Sequence, residues 1–439
     1  MARLYVADKE TLDAVKADTT GILKQLQDTD GKFSNIKRYG IKINKADSNP
    51  DTRITYLYDA AGFTPAKMNF TDGSFDFGSW GEVFFIKQNR PVMLKADRTV
   101  AYELNHTDHS KKLDGTASDV GDASTTLNAM SEFPLMWLCQ YEVGNYEYII
   151  VSDTRVDSNY NADAYTREDG SVADHMYMPM YGGSYDGAKL RSLSGKKLDC
   201  NTNAQTEINR AAANGTGWTI ISWSKRNLIE SLLTLISKSE NFQAKFGQGV
   251  CSTYVNDSSK DYGKVVTGTL DTKGQFFGYN DGTHEVKVFY CEKPWGNRWD
   301  RLVGYICDNG TIKVKMSPPY NLTGKDYIKV GIACKTEGWQ KDTLMTRYGR
   351  FVKSVGGSAS TYRCCYYWIN MTIVAVALVG GSSRNGASCG ACVHLHNAAS
   401  AAGWNVGGSP SCEEPVAASP HRGTGGAIPL EVYVKRKSN

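Results

Sequence analysis

Charge of one sign is what this sequence has least of. With 50 basic against 46 acidic residues in 439 and a formal net charge of +4, there is no surplus to form a nucleic-acid footprint, and no nucleic-acid partner is expected. Long apolar runs are missing too. The longest, Met371–Val379, is too short to cross a bilayer as a helix, so no membrane insertion is expected. The start, Met1-Ala2-Arg3-Leu4-Tyr5, lacks the hydrophobic segment of a secretory signal. A regular disulfide framework is also absent. The 11 cysteines are odd in number and irregular in spacing, which fits mostly free thiols made in a reducing cytosol. Nor does the end of the chain hold a dense cage of Asp, Glu and Asn for calcium.

What is abundant is Tyr, at 25, with 9 Trp and 43 Gly. Such chains tend to be β-rich, and Tyr provides large amphipathic contact area at low entropic cost. Residues 8–28 read as a helix, because Leu12, Val15, Thr19, Ile22 and Leu26 fall at alternating spacings of three and four. The seam either docks on the body or associates around a symmetry axis as a homo-oligomer, such as a trimer. Ala46-Asp47-Ser48-Asn49-Pro50 reads as a linker, so 1–50 forms an N-terminal helix and linker for oligomerisation or attachment. Residues 51–200 carry short strand patterns separated by a polar stretch, Asn105–Thr126, expected to be a surface loop. They are part of the following body or precede it. Beyond them a helix around Thr206–Ala213 stops at Asn214-Gly215, a strand follows over Trp218–Trp223, and a Leu-rich helix runs over Lys225–Ser239 with Ser224 as its cap. Strands are expected at Val286–Cys291, Arg301–Cys307, Thr311–Met316 and 371–379. The fold class is α+β. Residues 413–439 read as a tail, ending in the basic run Val434-Lys435-Arg436-Lys437.

Several segments are recognisable together. Gly215-Thr216-Gly217-Trp218, Lys225–Leu233 and Trp295-Gly296-Asn297-Arg298-Trp299-Asp300 look like phage and prophage tail proteins. Val376–Ser383 is followed by Asn385-Gly386, Gly390-Ala391, Leu395, Asn397–Ser400 and Trp404–Gly408. This pattern resembles the variable proteins of diversity-generating retroelements of the phage tail-fibre, major-tropism-determinant type. The resemblance spans 201–412 and is most specific over 355–412, the expected variable region. It implies a C-type-lectin-like body of the formylglycine-generating-enzyme type with an N-terminal helical segment. It also implies adenine-directed diversification and binding to a host cell-surface protein or glycan. The location would be a virion tail, or a cell surface if the chain is host-encoded. Where the family holds Asn, this chain has His394, His396, Ala401 and Gly403, each reachable from an Asn codon by changing adenines only. Trp368 and Trp404 are not reachable that way and are expected to be fixed. The chain departs from the family in having no Arg at Ala375 or Val379, and Ser409-Pro410 in place of Arg-Leu.

The residue types of Cys389, Cys392, His394 and His396 suit structural zinc. However, 392, 394 and 396 alternate on one strand-like face at positions the resemblance makes variable, so no metal and no cofactor is expected. The formylglycine-generating enzyme of the same fold uses a cysteine pair, leaving a Cys-dependent oxidase or a metal-binding lectin as alternatives. No cysteine here shows a base with an orienting partner in its spacing, so a non-enzyme is expected. Asp300 and Glu82 read as structural or solvated. The binding surface is expected to rest on the aromatic run Tyr362, Arg363, Cys365, Tyr367, Trp368 and Asn370. Arg384, Ser388, Cys392, His394, His396, Ala401 and Gly403 join it from the segments that follow.

Overall fold

The computed structural model describes residues 36–253 and 266–416. The expected helix over 8–28, with its oligomerisation seam, and the basic run 434–437 lie outside them. Strands take 37% of the chain against 11% for helices, so the protein is mostly β sheet with a few helices packed on it.

Three larger sheets carry the structure. An antiparallel four-stranded sheet has the order Ile54–Tyr58, Arg38–Asn44, Tyr146–Ser152, Trp137–Val143. A seven-stranded sheet begins with Trp218–Ile220, Pro410–Glu413 and His175–Pro179 and ends at the polar strand Asp108–Lys112. The third sheet, of nine strands, is mixed: Tyr366–Ile369 runs parallel to Gly390–Leu395, while Val374–Gly380 pairs antiparallel with both Gly390–Leu395 and Trp299–Asp308.

The helices are α1 (Phe84–Lys87), α2 (Ala204–Ala212), α3 (Trp223–Ser237) and α4 (Phe242–Phe246). In α2, Asn203 caps the start by accepting from the Thr206 N–H at 2.9 Å. Ser222, rather than Ser224, caps α3; Ser224 lies inside the helix with its hydroxyl 3.0 Å from that of Ser222. All of α3 but Glu230 is buried, as expected of a helix flanked by sheets on more than one side. Its end is closed by Lys238 in the left-handed region, φ 51°.

Three expectations are corrected. Residues 46–50 are not a linker: they belong to the tight turn between Arg38–Asn44 and Ile54–Tyr58, tied by Asx bonds at Asp47 and Asn49. The stretch Asn105–Thr126 holds the edge strand Asp108–Lys112; both faces of that strand are largely polar, which hides it from a hydrophobicity pattern. The fold does not end at Cys412, because Glu413 completes a strand and Glu414 pairs with Arg167 at 3.1 Å and His175 at 2.7 Å. One core cluster contains Ile41, Phe133, Leu232, Trp299 and Leu395, so of the two alternatives left open for residues 51–200 the core is continuous with that of the residues that follow.

Candidate functional site

Alternation along Tyr366–Ile369 builds the site. Tyr366 and Trp368 are half-buried and face outward, while Tyr367 and Ile369 point into the core. Register supplies their neighbours: Trp368 lies opposite His394 on the parallel strand, and Tyr366 opposite Trp339 on the antiparallel one. The rings therefore form a continuous stripe across three strands. Trp339 and Tyr366 have centroids 5.6 Å apart, Tyr366 and Trp368 4.5 Å, Trp368 and His394 5.6 Å, and His394 and His396 5.9 Å. Trp299 lies beneath, edge-on to Trp368 at 5.2 Å and 89° and also 5.2 Å from His394. Edge-to-face packing of this kind holds the outer rings in fixed orientations.

At one end of the stripe Glu337 accepts the Ile369 backbone N–H at 2.9 Å and lies 3.0 Å from His396 Nδ1. Both side chains are substantially exposed, at 38% and 48%, so the end is open to a ligand and carries a carboxylate. Burial pushes the His394 imidazole down to about 4, with His396 adding to the effect and Glu337 opposing it. At neutral pH His394 is thus an uncharged ring with a hydrogen-bonding nitrogen. The stripe offers flat apolar area with few charges.

Of the positions expected in the site, Trp368, His394 and His396 are in the stripe. Asn370 sits at the end of the same strand and caps Thr372 through its side chain at 2.9 Å. Ala401 and Gly403 are half-buried in the loop leading to Asn405, whose carbonyl accepts the Trp299 N–H at 2.8 Å. Arg384, exposed, and Ser388, half-buried, lie on the turn before Gly390–Leu395.

Four expected contacts are corrected to buried positions. Tyr367 is 1% exposed and donates to the Cys334 carbonyl. Arg363 bonds Gln340 Oε1 and lies 3.6 Å from the buried Glu240. Cys365 is buried, with its thiol donating to the Arg363 carbonyl at 2.7 Å. A bulge beside Val379 and Gly380 breaks the alternation of Gly390–Leu395 and turns Cys392 inward, away from the face of His394. Tyr362 is half-buried on a different surface, its ring 3.4 Å from the Arg53 guanidinium. Sequence reasoning missed Trp339, Glu337 and the outward aim of Tyr366. The signal for Tyr366 was its two-residue spacing from Trp368; Trp339 carried none, because its neighbour is set by long-range register.

All the cysteines are free. Among the described residues no group of three or more His, Cys, Asp or Glu side chains converges as a metal site, and no helix is long and apolar enough to cross a membrane. Asp300 is buried and structural, 2.5 Å from Lys293 Nζ, whereas Glu82 is exposed and pairs with Lys87. The internal cleft lined by Lys293, Asp300 and Arg226 has its cations engaged by Asp300, by Glu230 and by the Pro294 carbonyl. No family model and no curated protein matches this chain.

Proposed function

We propose that the Trp339–Tyr366–Trp368–His394–His396 stripe is a noncovalent recognition surface for a host cell-surface protein or glycan. On this reading the chain is a phage-tail or prophage-derived receptor-binding protein with a C-type-lectin-like body, diversified by a retroelement. The observation that carries the proposal is the stripe itself: four rings from three strands and His396 just beyond the third, presented outward over a buried Trp299. Large aromatic side chains held rigid on a sheet give contact area with little entropy lost on binding. Outward positions on a strand also change without repacking the core, which is what a diversified surface needs.

The test is binding of the purified chain to cells of the host. Trp368→Ala is expected to weaken binding at least about tenfold, the loss of one hot-spot side chain, with an unchanged near-ultraviolet spectrum. Tyr367→Ala, one position along, is expected to cost about 3–5 kcal/mol of stability as a buried aromatic deletion. Equal binding by Trp368→Ala and the parent would remove the stripe from the function. A nearby reverse transcriptase, with an adenine-rich template repeat matching the codons for 355–412, would establish the diversification.

A further inference from the structure

The carboxylate at the end of the stripe is fixed in place but only half used. Glu337 lies just before the strand Gly338–Thr346, and both of its contacts fall on one oxygen. Oε1 accepts the Ile369 N–H at 2.9 Å and lies 3.0 Å from His396 Nδ1. Among the described residues Oε2 has no partner. Lys335, exposed two residues earlier, makes no ion pair with Glu337. The Ile369 N–H belongs to the peptide unit that joins it to Trp368, so the carboxylate is tied directly beside that indole.

Rings and anion act in the same sense. The face of an aromatic ring carries negative potential and attracts a cation. Trp368 has Tyr366 at 4.5 Å and 42° on one side and His394 at 5.6 Å and 32° on the other. His394 adds no positive charge at neutral pH, because burial opposes its protonation. A ligand lying over the stripe strips water from Oε2, which costs affinity unless a donor takes the water's place. A neutral hydroxyl offsets part of that cost. A guanidinium offsets more through a charge-assisted hydrogen bond, and its plane stacks on an indole. The aliphatic stem behind it covers neighbouring apolar surface.

Resting on the reading of the stripe as the recognition surface, we propose that its ligand is a host surface protein that lays an arginine side chain over Trp368, with the guanidinium donating to Glu337 Oε2. Lysine is the poorer match, since its ammonium is a strongly hydrated point charge that does not stack. The carboxylate sets the sign of the ligand's charge, and the rings set its flatness.

The isotope-labelled full chain is titrated at neutral pH in low salt, followed by magnetic resonance. The probes are acetyl-Gly-Arg-Gly-amide, the lysine and glutamine versions of the same peptide, and maltotriose as a neutral glycan. The readout is the indole N–H signal of Trp368, identified by its loss in Trp368→Phe. It is expected to move saturably with the arginine peptide, less with the lysine peptide, and not with the glutamine peptide or maltotriose. Glu337→Gln keeps an acceptor for the Ile369 N–H, and it is expected to weaken the arginine peptide at least about fivefold. No movement with the arginine peptide, an equal response to the glutamine peptide or maltotriose, or Glu337→Gln titrating like the parent overturns the proposal. Binding to host cells separates the two readings. If Trp368→Ala weakens it while Glu337→Gln matches the parent, the stripe stands and the arginine falls. If Trp368→Ala matches the parent, the stripe itself falls.

Discussion

At the scale of single residues, two histidines make the fold sensitive to acid. Burial lowers both His394 and His109 to about 4, with Lys287 adding to the effect at His109. In the unfolded chain each titrates near 6.5, so unfolding takes up protons between pH 6.5 and 4. Stability contributed by the neutral rings is present above that window and is lost as pH falls through it, by at most about 1.4 kcal/mol per pH unit for each ring. Thermal melts of His394→Phe and the parent over this range are expected to show a shallower acid slope in the variant, with the difference vanishing above pH 7. Residue identity was also where the sequence was most readable. Trp368, His394 and His396 stood out by type and spacing. Tyr367 and Cys392 did not separate from them, because facing is decided by the strand's phase and by a bulge beside Gly380, and neither is written in the local pattern.

At the scale of elements, the helices were legible and their first turns were not. The Leu-rich pattern of α3 gave its length closely, but Trp223 reads as the end of the preceding strand and Ser224 as a cap. The chain instead uses Ser222, and Trp223 packs inside against Tyr305 and Phe351. Helix α2 depends on its cap more openly, since it is short and its outer face is solvated. Asn203→Ala is expected to lower the urea unfolding free energy by about 1 kcal/mol at unchanged m, leaving cell binding intact. The edge strand Asp108–Lys112 went unread because its turns are written in Asp, Ser and Thr: Asp108 bonds Ser110 and Asp114 bonds Thr116. That composition is shared by loops and by polar edges.

At the scale of the whole molecule, a buried charge network joins parts far apart in sequence. Glu240, beyond α3, pairs with Arg53 at 2.8 Å and Arg350 at 2.9 Å, and Arg350 pairs with Glu147 at 2.7 Å. Burial acts to raise the Glu240 carboxyl, but Arg350, Arg53 and Arg363 outweigh it and hold it below its usual range. Glu240→Gln leaves those guanidinium groups buried without their shared anion, and the expected cost is about 3–5 kcal/mol in urea unfolding. Because Arg53 and Glu147 lie in or beside the four-stranded sheet and Arg350 in the nine-stranded one, both are expected to lose stability together. None of this was legible beforehand: pairs 110 and 187 residues apart leave no periodicity in a single sequence.

The strand Pro410–Glu413 lies between His175–Pro179 and Trp218–Ile220 and pairs with each. On a ribosome those two neighbours emerge long before it. Until this strand leaves the exit tunnel, the seven-stranded sheet has a gap at that place and two unsatisfied backbone edges, the template on which nascent chains misassociate. A premature stop codon anywhere before Pro410 therefore yields a chain with a permanent slot, a substrate for chaperones and proteases instead of a shortened binder.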